Sequence, residues 1–496
     1  MKKITLLFIT SLLLLMAVGL SAVPAHAAST YSAGKWDDAT IATFGELPIL
    51  DGGRVKPMST YAQFVMLRIN GKRSFRPVDA NGDSTGSAGK MNPTEWLMDC
   101  LFYPDIARDY PVFIIDNTDV ATAIGMQAND KQRDRYSYNE LEDVRGELFS
   151  RAQAASALEA TDRSYQESTI LALAEAVFEF EGVIHYFGFA HSEYNAGDSR
   201  LLKRIMGEGE DGHNHFTLPD VLAKAKELQT GIVALQQVMQ DEGQEKYKGE
   251  MKSLETFFAP LDRAQSTAIA MRLIPPADLE NDDWYTPSEM VEGIFSKTYK
   301  ASELEVLRGL IGLAVNTENT LAFKQQLNSL HSLLVSQATE RGEYAQIPLE
   351  IKLYNSKILA RTQVFFIISF ILCALSWLSL KNKWLTRASV VSVGIPLAML
   401  ITAITMRCII RGRPPISTLY ETVLFITATC VLVALFIEYL NRQRIGLSVG
   451  AFLGTLGMFI ANRYEIINQQ DTMPSLVAVL DTNFWLATHV TIINIG

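Results

Sequence analysis

The chain changes character along its length. Between residues 28 and 361, apolar residues alternate with polar ones at spacings of three and four, the pattern of helices with one buried face. Stretches at about 139–162, 164–190, 217–258 and 316–340 are predicted to be long helices on this ground. In the third, Leu218, Val221, Leu222, Leu228, Ile232 and Leu235 recur at helical spacing, and Thr217 with Asp220 forms a cap-like start. Val112–Asp116, rich in β-branched and aromatic residues, predicts a short strand after Tyr110-Pro111, and Asn81–Gly89 is a loop by composition.

Beyond Val364 the alternation gives way to apolar blocks. Val364–Leu380, Ala388–Met406, Thr422–Leu440 and Ile445–Ala461 are each close to the roughly 20 residues that cross a bilayer core. Short basic linkers, Lys381–Thr386 and Asn441–Arg444, join the first block to the second and the third to the fourth. Buried helices of a soluble core are the alternative, and four blocks in succession weigh against it. The expected fold class is mainly α: a polytopic helical membrane bundle over residues 362–496, preceded by a large, mostly helical extracytoplasmic domain over residues 28–361. A fifth block begins near Leu486 and stops at Gly496. As a helix it would rise about 16 Å, half of a hydrocarbon core of about 30 Å, so the chain is expected to be a fragment of a longer one.

Residues 1–27 look like an export signal. Lys2 and Lys3 supply the charged start, Ile4–Leu20 the apolar run, and Ala25-His26-Ala27 a small-x-small cleavage site. An uncleaved anchor helix would put the following domain on the same side, outside the cytoplasm. Lys381, Lys383, Arg387, Arg442 and Arg444 then face the cytoplasm, as the positive-inside tendency wants. Arg407, Arg411 and Arg413 fall on the unfavoured outer side, which hints at a specific task for guanidinium groups able to grip carboxylates bidentately.

Composition narrows the classes. The chain is 48% hydrophobic and 20% charged with a net charge of −10, which argues against both disorder and a nucleic-acid partner. Its four cysteines, at 100, 373, 408 and 430, contain no CxxC, so neither a zinc ribbon nor a covalent haem-attachment motif is present. Cys100 reads as a small buried apolar residue, and so do Cys373, Cys408 and Cys430, with redox activity kept open for Cys408. His213 and His215 beside the acidic loop 207–212 read as solvated, with a metal clip as the alternative. His185, His191 and His331 read as structural or surface residues.

Two outward segments carry the chemistry. Arg411–Glu421 (RGRPPISTLYE) is stiffened by paired prolines, and its arginines are expected to face a membrane-surface ligand or an anionic lipid headgroup. Asp471–His489 (DTMPSLVAVLDTNFWLATH) runs along the interface to Trp485, a belt residue, and then to His489, about one turn into the membrane. A histidine at that depth needs a partner. It is either a hydrogen-bonding residue facing the bundle or a ligand to haem iron, with Arg411 and Arg413 at the haem propionates.

The combination of Gly412–Thr422 with Asp471–Val490 resembles the CcsA-type cytochrome c biogenesis proteins, of the haem-handling membrane superfamily that includes the CcmC and CcmF types. The exported opening, Leu47–Tyr61 (LPILDGGRVKPMSTY), looks like the start of the extracytoplasmic domain fused ahead of some bacterial members. The resemblance is loose over residues 46–116 and close over 364–496. It implies part of a cytochrome c haem lyase in the bacterial cytoplasmic membrane. Haem b would be held at the outer face between two histidines while the thiols of an apocytochrome c CxxCH motif add to its vinyl groups. His489 matches the first outward axial histidine, and Trp485, Arg411 and Arg413 fall in the haem surroundings. ResB-like or other maturation subunits, a thiol-reducing pathway and membrane lipid are the implied partners. The family's tryptophan-rich loop, second outward histidine and later intramembrane histidine would all follow residue 496. The six tryptophans, at 36, 96, 284, 377, 384 and 485, form no cluster. The chain by itself is therefore expected to be inactive and to lack six-coordinate haem. Two other functions stay open: a binding subunit that recruits apocytochrome or delivers haem without ligating it, and a membrane transporter or sensor unrelated to haem.

Overall fold

The computed structural model describes residues 36–74, 90–126, 135–207, 215–378, 383–475 and 492. Contacts divide the chain into two compact units that meet at Ala345 and Gln346. In the first, Asp37 caps α1 (Asp38–Gly45) by accepting from the Thr40 amide at 2.9 Å. Strands β1 (Pro48–Asp51) and β2 (Arg54–Pro57) pair antiparallel across Gly52-Gly53, whose φ of 61° and 73° is the left-handed pair that a two-residue type I′ turn demands. Lys56, buried on β2, donates to Asp51 at 2.7 Å, and α2 (Met58–Asn70) starts directly after Pro57. The segment LPILDGGRVKPMSTY is therefore a hairpin feeding a helix.

Helix α3 (Pro93–Phe102) follows, with Asn92 as its cap. Strand β3 (Phe113–Ile114) falls inside the predicted strand and pairs with β4 (Arg135–Tyr136). Capping boxes at Ser137/Glu140 and Ser164/Glu167 start α4 (Tyr138–Glu142) and α6 (Tyr165–Ile184), with α5 (Arg145–Ser156) between them. Strands β5 (Tyr194–Asn195) and β6 (His215–Phe216) make a third small hairpin.

The predicted helices exist but are broken differently. The stretch 217–258 is three helices: α7 (Leu218–Ala223), α8 (Ala225–Glu242) and α9 (Lys248–Thr267). Thr217 and Asp220 do form the capping box of α7, and Gly243, at φ 93°, stops α8. Likewise 139–162 divides after Glu142 and ends at Ser156, while 164–190 ends at Ile184 and continues as a tighter 3₁₀ turn, Tyr186–His191. Apolar periodicity reports a continuous buried face, which successive short helices share as readily as one long helix. The unit closes with α10 (Ala301–Val315) and α11 (Thr320–Glu340), which is capped by Asn319.

The core is aromatic where the two ends of this unit meet. Trp36 packs on Phe323 at 4.9 Å between ring centroids, and Phe102 on Phe323 at 5.0 Å. Beneath them the buried Asp99 carboxylate accepts from Trp36 Nε1 at 2.8 Å and Tyr110 OH at 2.7 Å. Cys100 is fully buried beside it, and burial pushes its thiol well above the ordinary range.

The second unit contains α12 (Ile347–Asn355), α13 (Ile358–Trp377), α14 (Lys383–Arg411), α15 (Leu419–Asn441) and α16 (Ile445–Asn468). Helices α12 and α13 run as one apolar stretch, Ile347–Trp377, with a break at Lys357 (φ 48°). With α14, α15 and α16 this gives, among the described residues, four helical stretches long and apolar enough to cross a membrane. Only 33–39% of their most apolar windows is buried, and Val364, Phe436 and Phe459 stand more than half exposed. An apolar exterior of this kind needs lipid around it, so the chain is a mainly-α membrane protein.

Helix α13 packs against α14 and α16, and α15 packs against the same two, forming a ring of four. The tightest approach joins α15 and α16, where Gly446, Gly450 and Gly457 leave room for atoms of α15; a Cβ on Gly446 would sit 2.5 Å from the Ala434 carbonyl oxygen. The helices overrun the predicted spans: α14 continues past Met406 to Arg411, and α16 past Ala461 to Asn468. Polar residues end an apolar window without ending a helix, because the backbone hydrogen bonds are indifferent to them. The predicted fifth span from Leu486 lies outside the described residues apart from Ile492.

Candidate functional site

At one end of the ring, α14 finishes, α15 begins and α16 finishes. Gly412 (φ 63°) turns the chain away from α14, and Pro414-Pro415 keep it from resuming a helix. Thr418 then caps α15 by accepting from the Glu421 amide at 3.2 Å, which sets the Glu421 carboxylate in the positive first turn of that helix. Four residues separate Arg407 from Arg411, so both side chains leave the same face of α14.

Those side chains hold the turn that follows α16. Arg407 donates through Nη1 to Thr472 Oγ1 at 3.1 Å and through Nη2 to the Thr472 carbonyl at 2.6 Å. The same Nη2 lies 3.4 Å from Glu421 Oε1, and the guanidinium stands 4.9 Å from the centre of the Tyr420 ring. Arg413 Nη2 approaches the same Glu421 oxygen at 3.8 Å, and Arg411 Nη2 donates to the Pro474 carbonyl at 2.9 Å. Within the turn, Asp471 accepts from the Met473 amide at 2.9 Å, and the Met473 side chain is fully buried with Leu353, Ala403 and Ile410.

Burial sets the energetics. Arg407, Arg413, Glu421 and Thr472 are all buried, so the charges are worth their desolvation only while they remain paired. Losing one partner of such a pair costs about 3–5 kcal/mol. The set is rich in donors: three guanidinium groups converge with the Glu421 and Asp471 carboxylates. Among the described residues, Arg407 Nε and Glu421 Oε2 have no hydrogen-bond partner.

The structure thus brings the two segments singled out in the sequence together, through Arg407 and Arg411. Arg413 turns inward to Glu421, and Arg411 is half-buried against the neighbouring turn. His489 and Trp485 lie outside the described residues. Arg407 and Thr472 carry the junction, and in the sequence Arg407 is one of three arginines on the unfavoured side, with nothing to set it above Arg411 and Arg413. The available signal was an arginine four residues before another inside an otherwise apolar helix.

The other histidines have local roles. His185 Nδ1 lies 2.9 Å from the Glu181 carbonyl, His215 lies 3.3 Å from Glu193, and His331 lies 3.5 Å from Glu46. His213 falls outside the described residues. Among the described residues, no three His, Cys, Asp or Glu side chains gather in a way that could hold a metal ion. Cys373 is buried within the membrane unit, and Cys408 and Cys430 are half-buried there.

No protein-family model matches the chain. Over 139 residues it is 32% identical to the cytochrome c biogenesis protein CcsA of Trieres chinensis, a stretch amounting to 27% of this chain and 43% of that protein. The chain thus spans less than half the length of that relative, to which part of it is related.

Proposed function

We propose that this chain acts in cytochrome c maturation, presenting haem as a substrate at the outer face of the bacterial cytoplasmic membrane. The likeness to a cytochrome c biogenesis protein supports the process. The observation that carries the finer reading is the junction of Arg407, Arg411 and Arg413 with the Asp471–Pro474 turn. Such a donor-rich cluster has the chemistry that haem propionates require, since guanidinium forks match carboxylates. On this reading Arg411 and Arg413 hold the propionates, Trp485 borders the ring and His489 supplies an axial imidazole from the segment beyond the turn.

The reaction is addition of the two CxxCH thiols of apocytochrome c across the haem vinyl groups. Each S–H adds over a C=C bond, forming a C–S bond and a C–H bond without net oxidation. The chain's part is to hold haem b with its vinyl edge open to those thiols. Reduced thiols are a precondition, so a thiol-reducing pathway and ResB-like or other maturation subunits are the proposed partners. The signal sequence, with the soluble unit outside the cytoplasm, belongs to the same proposal.

The test is replacement of His489 by Gly in cells whose c-type cytochromes depend on this protein. Covalently bound haem, read by haem staining of denatured membranes, is expected to disappear, and added imidazole to restore part of it. Wild-type haem staining in His489→Gly cells refutes the reading.

A further inference from the structure

We propose that Arg407 is a positioning residue: its guanidinium clasps the Asp471–Pro474 turn to the first turn of α15, fixing where the chain leaves the bundle after its fourth membrane helix. The proposal rests on the haem-presentation reading for its consequence in function. Its geometry stands on the contacts themselves.

An arginine buried near the end of a membrane helix is expensive, and helix α14 would be simpler with an isoleucine there. What offsets the cost is a set of acceptors on two other segments. One arm of the fork takes Thr472 Oγ1, and the other takes the Thr472 carbonyl and Glu421 Oε1. Tyr420 covers its face, and the Asp471 carboxylate acts on it from the turn. Met473 plugs the same turn into the bundle from below. The planar fork puts separate nitrogens on Thr472 Oγ1 and on the Thr472 carbonyl, the second also facing Glu421; a lysine ammonium offers one nitrogen on a shorter stem for all three acceptors. Arg407 touches no substrate on this reading. It acts by fixing the start of the segment that follows Pro474.

The experiment uses the whole chain in membranes and in detergent, with two variants. Arg407→Lys keeps the charge and loses the fork. Arg407→Met removes the charge and every donor at similar length, and leaves the Glu421 carboxylate facing Arg413. Three quantities are read: amount of protein in the membrane, hydrogen–deuterium exchange of the peptide containing Asp471, Thr472 and Met473, and haem covalently attached to c-type cytochromes.

The expected result for both variants is membrane levels within about twofold of wild type, at least tenfold faster exchange in that peptide and unchanged exchange in the centres of α15 and α16. Attached haem falls roughly tenfold. Wild-type exchange of the turn in Arg407→Lys overturns the proposal, as does a loss of attached haem that merely tracks the loss of protein. Wild-type haem in Arg407→Lys beside a null His489→Gly overturns this proposal alone. Wild-type haem in His489→Gly overturns the underlying reading, and the proposal with it.

Discussion

The buried Asp99 carboxylate offers the sharpest test of how the soluble unit is held. It accepts from Trp36 Nε1 at 2.8 Å and from Tyr110 OH at 2.7 Å, tying the first described residue to α3 and to the segment before β3. Asp99→Leu keeps the branching of the side chain and removes both acceptors. Each donor then stays buried without its partner, at about 1–3 kcal/mol apiece, or roughly 2–6 kcal/mol together. Burying the new methyl groups returns about 1–2 kcal/mol, so the net loss lies between about 0 and 5 kcal/mol and centres near 2.5 kcal/mol. At about 2 °C per kcal/mol for a unit of this size, the central value lowers Tm by roughly 5 °C, read by differential scanning fluorimetry of the detergent-solubilised chain. Adding Tyr110→Phe removes one orphaned donor with little change of shape. The double variant Asp99→Leu/Tyr110→Phe should therefore be more stable than the two single losses predict, with a coupling of about 1–3 kcal/mol. Strictly additive losses would refute the argument, because they would mean that Asp99→Leu harms packing and leaves hydrogen bonding aside.

Two further predictions concern the other levels of the structure. Gly446→Leu should lower the thermal stability of the membrane unit by about 1–3 kcal/mol or more, since its side chain meets the Ala434 carbonyl and the Glu438 backbone, whereas Gly394→Leu, with nothing within 4 Å, should be silent. Equal effects of the two, read as the temperature of aggregation in detergent, would remove the close approach of α15 and α16 as the cause. Asp37 is held down to about 2 by Lys324, at 2.7 Å, and by the side chain and amide of Thr40. A depressed carboxylate stabilises the fold above its unfolded value near 3.8 and loses that contribution as pH falls toward 2. Because Asp37 is largely exposed, the effect is limited to about 1 kcal/mol or less. Asp37→Asn should therefore destabilise at pH near 6, by denaturant midpoint, with the gap closing between about pH 4 and 2; a gap that widens on acidification contradicts the assignment.

Much of the architecture was legible in the order of residues. Four apolar blocks of bilayer length predicted four membrane helices, and the cap-like start at Thr217/Asp220 marked where a soluble helix begins. These signals are local: hydrogen bonds within a helix, and caps three residues apart, depend on neighbours in the chain. The two segments of the candidate site were also visible, by resemblance, as belonging together. Their relative importance was not. All three arginines stand out as charges on the unfavoured side, but Arg411 and Arg413 also flank prolines in a turn, while Arg407 lies among apolar residues. Only the packed ring shows that Arg407 reaches Thr472, 65 residues further along, and that Arg413 points inward to Glu421. A guanidinium reports its charge wherever it stands in a sequence. Which carboxylate or carbonyl it meets is settled when three helices end within one side-chain length of each other.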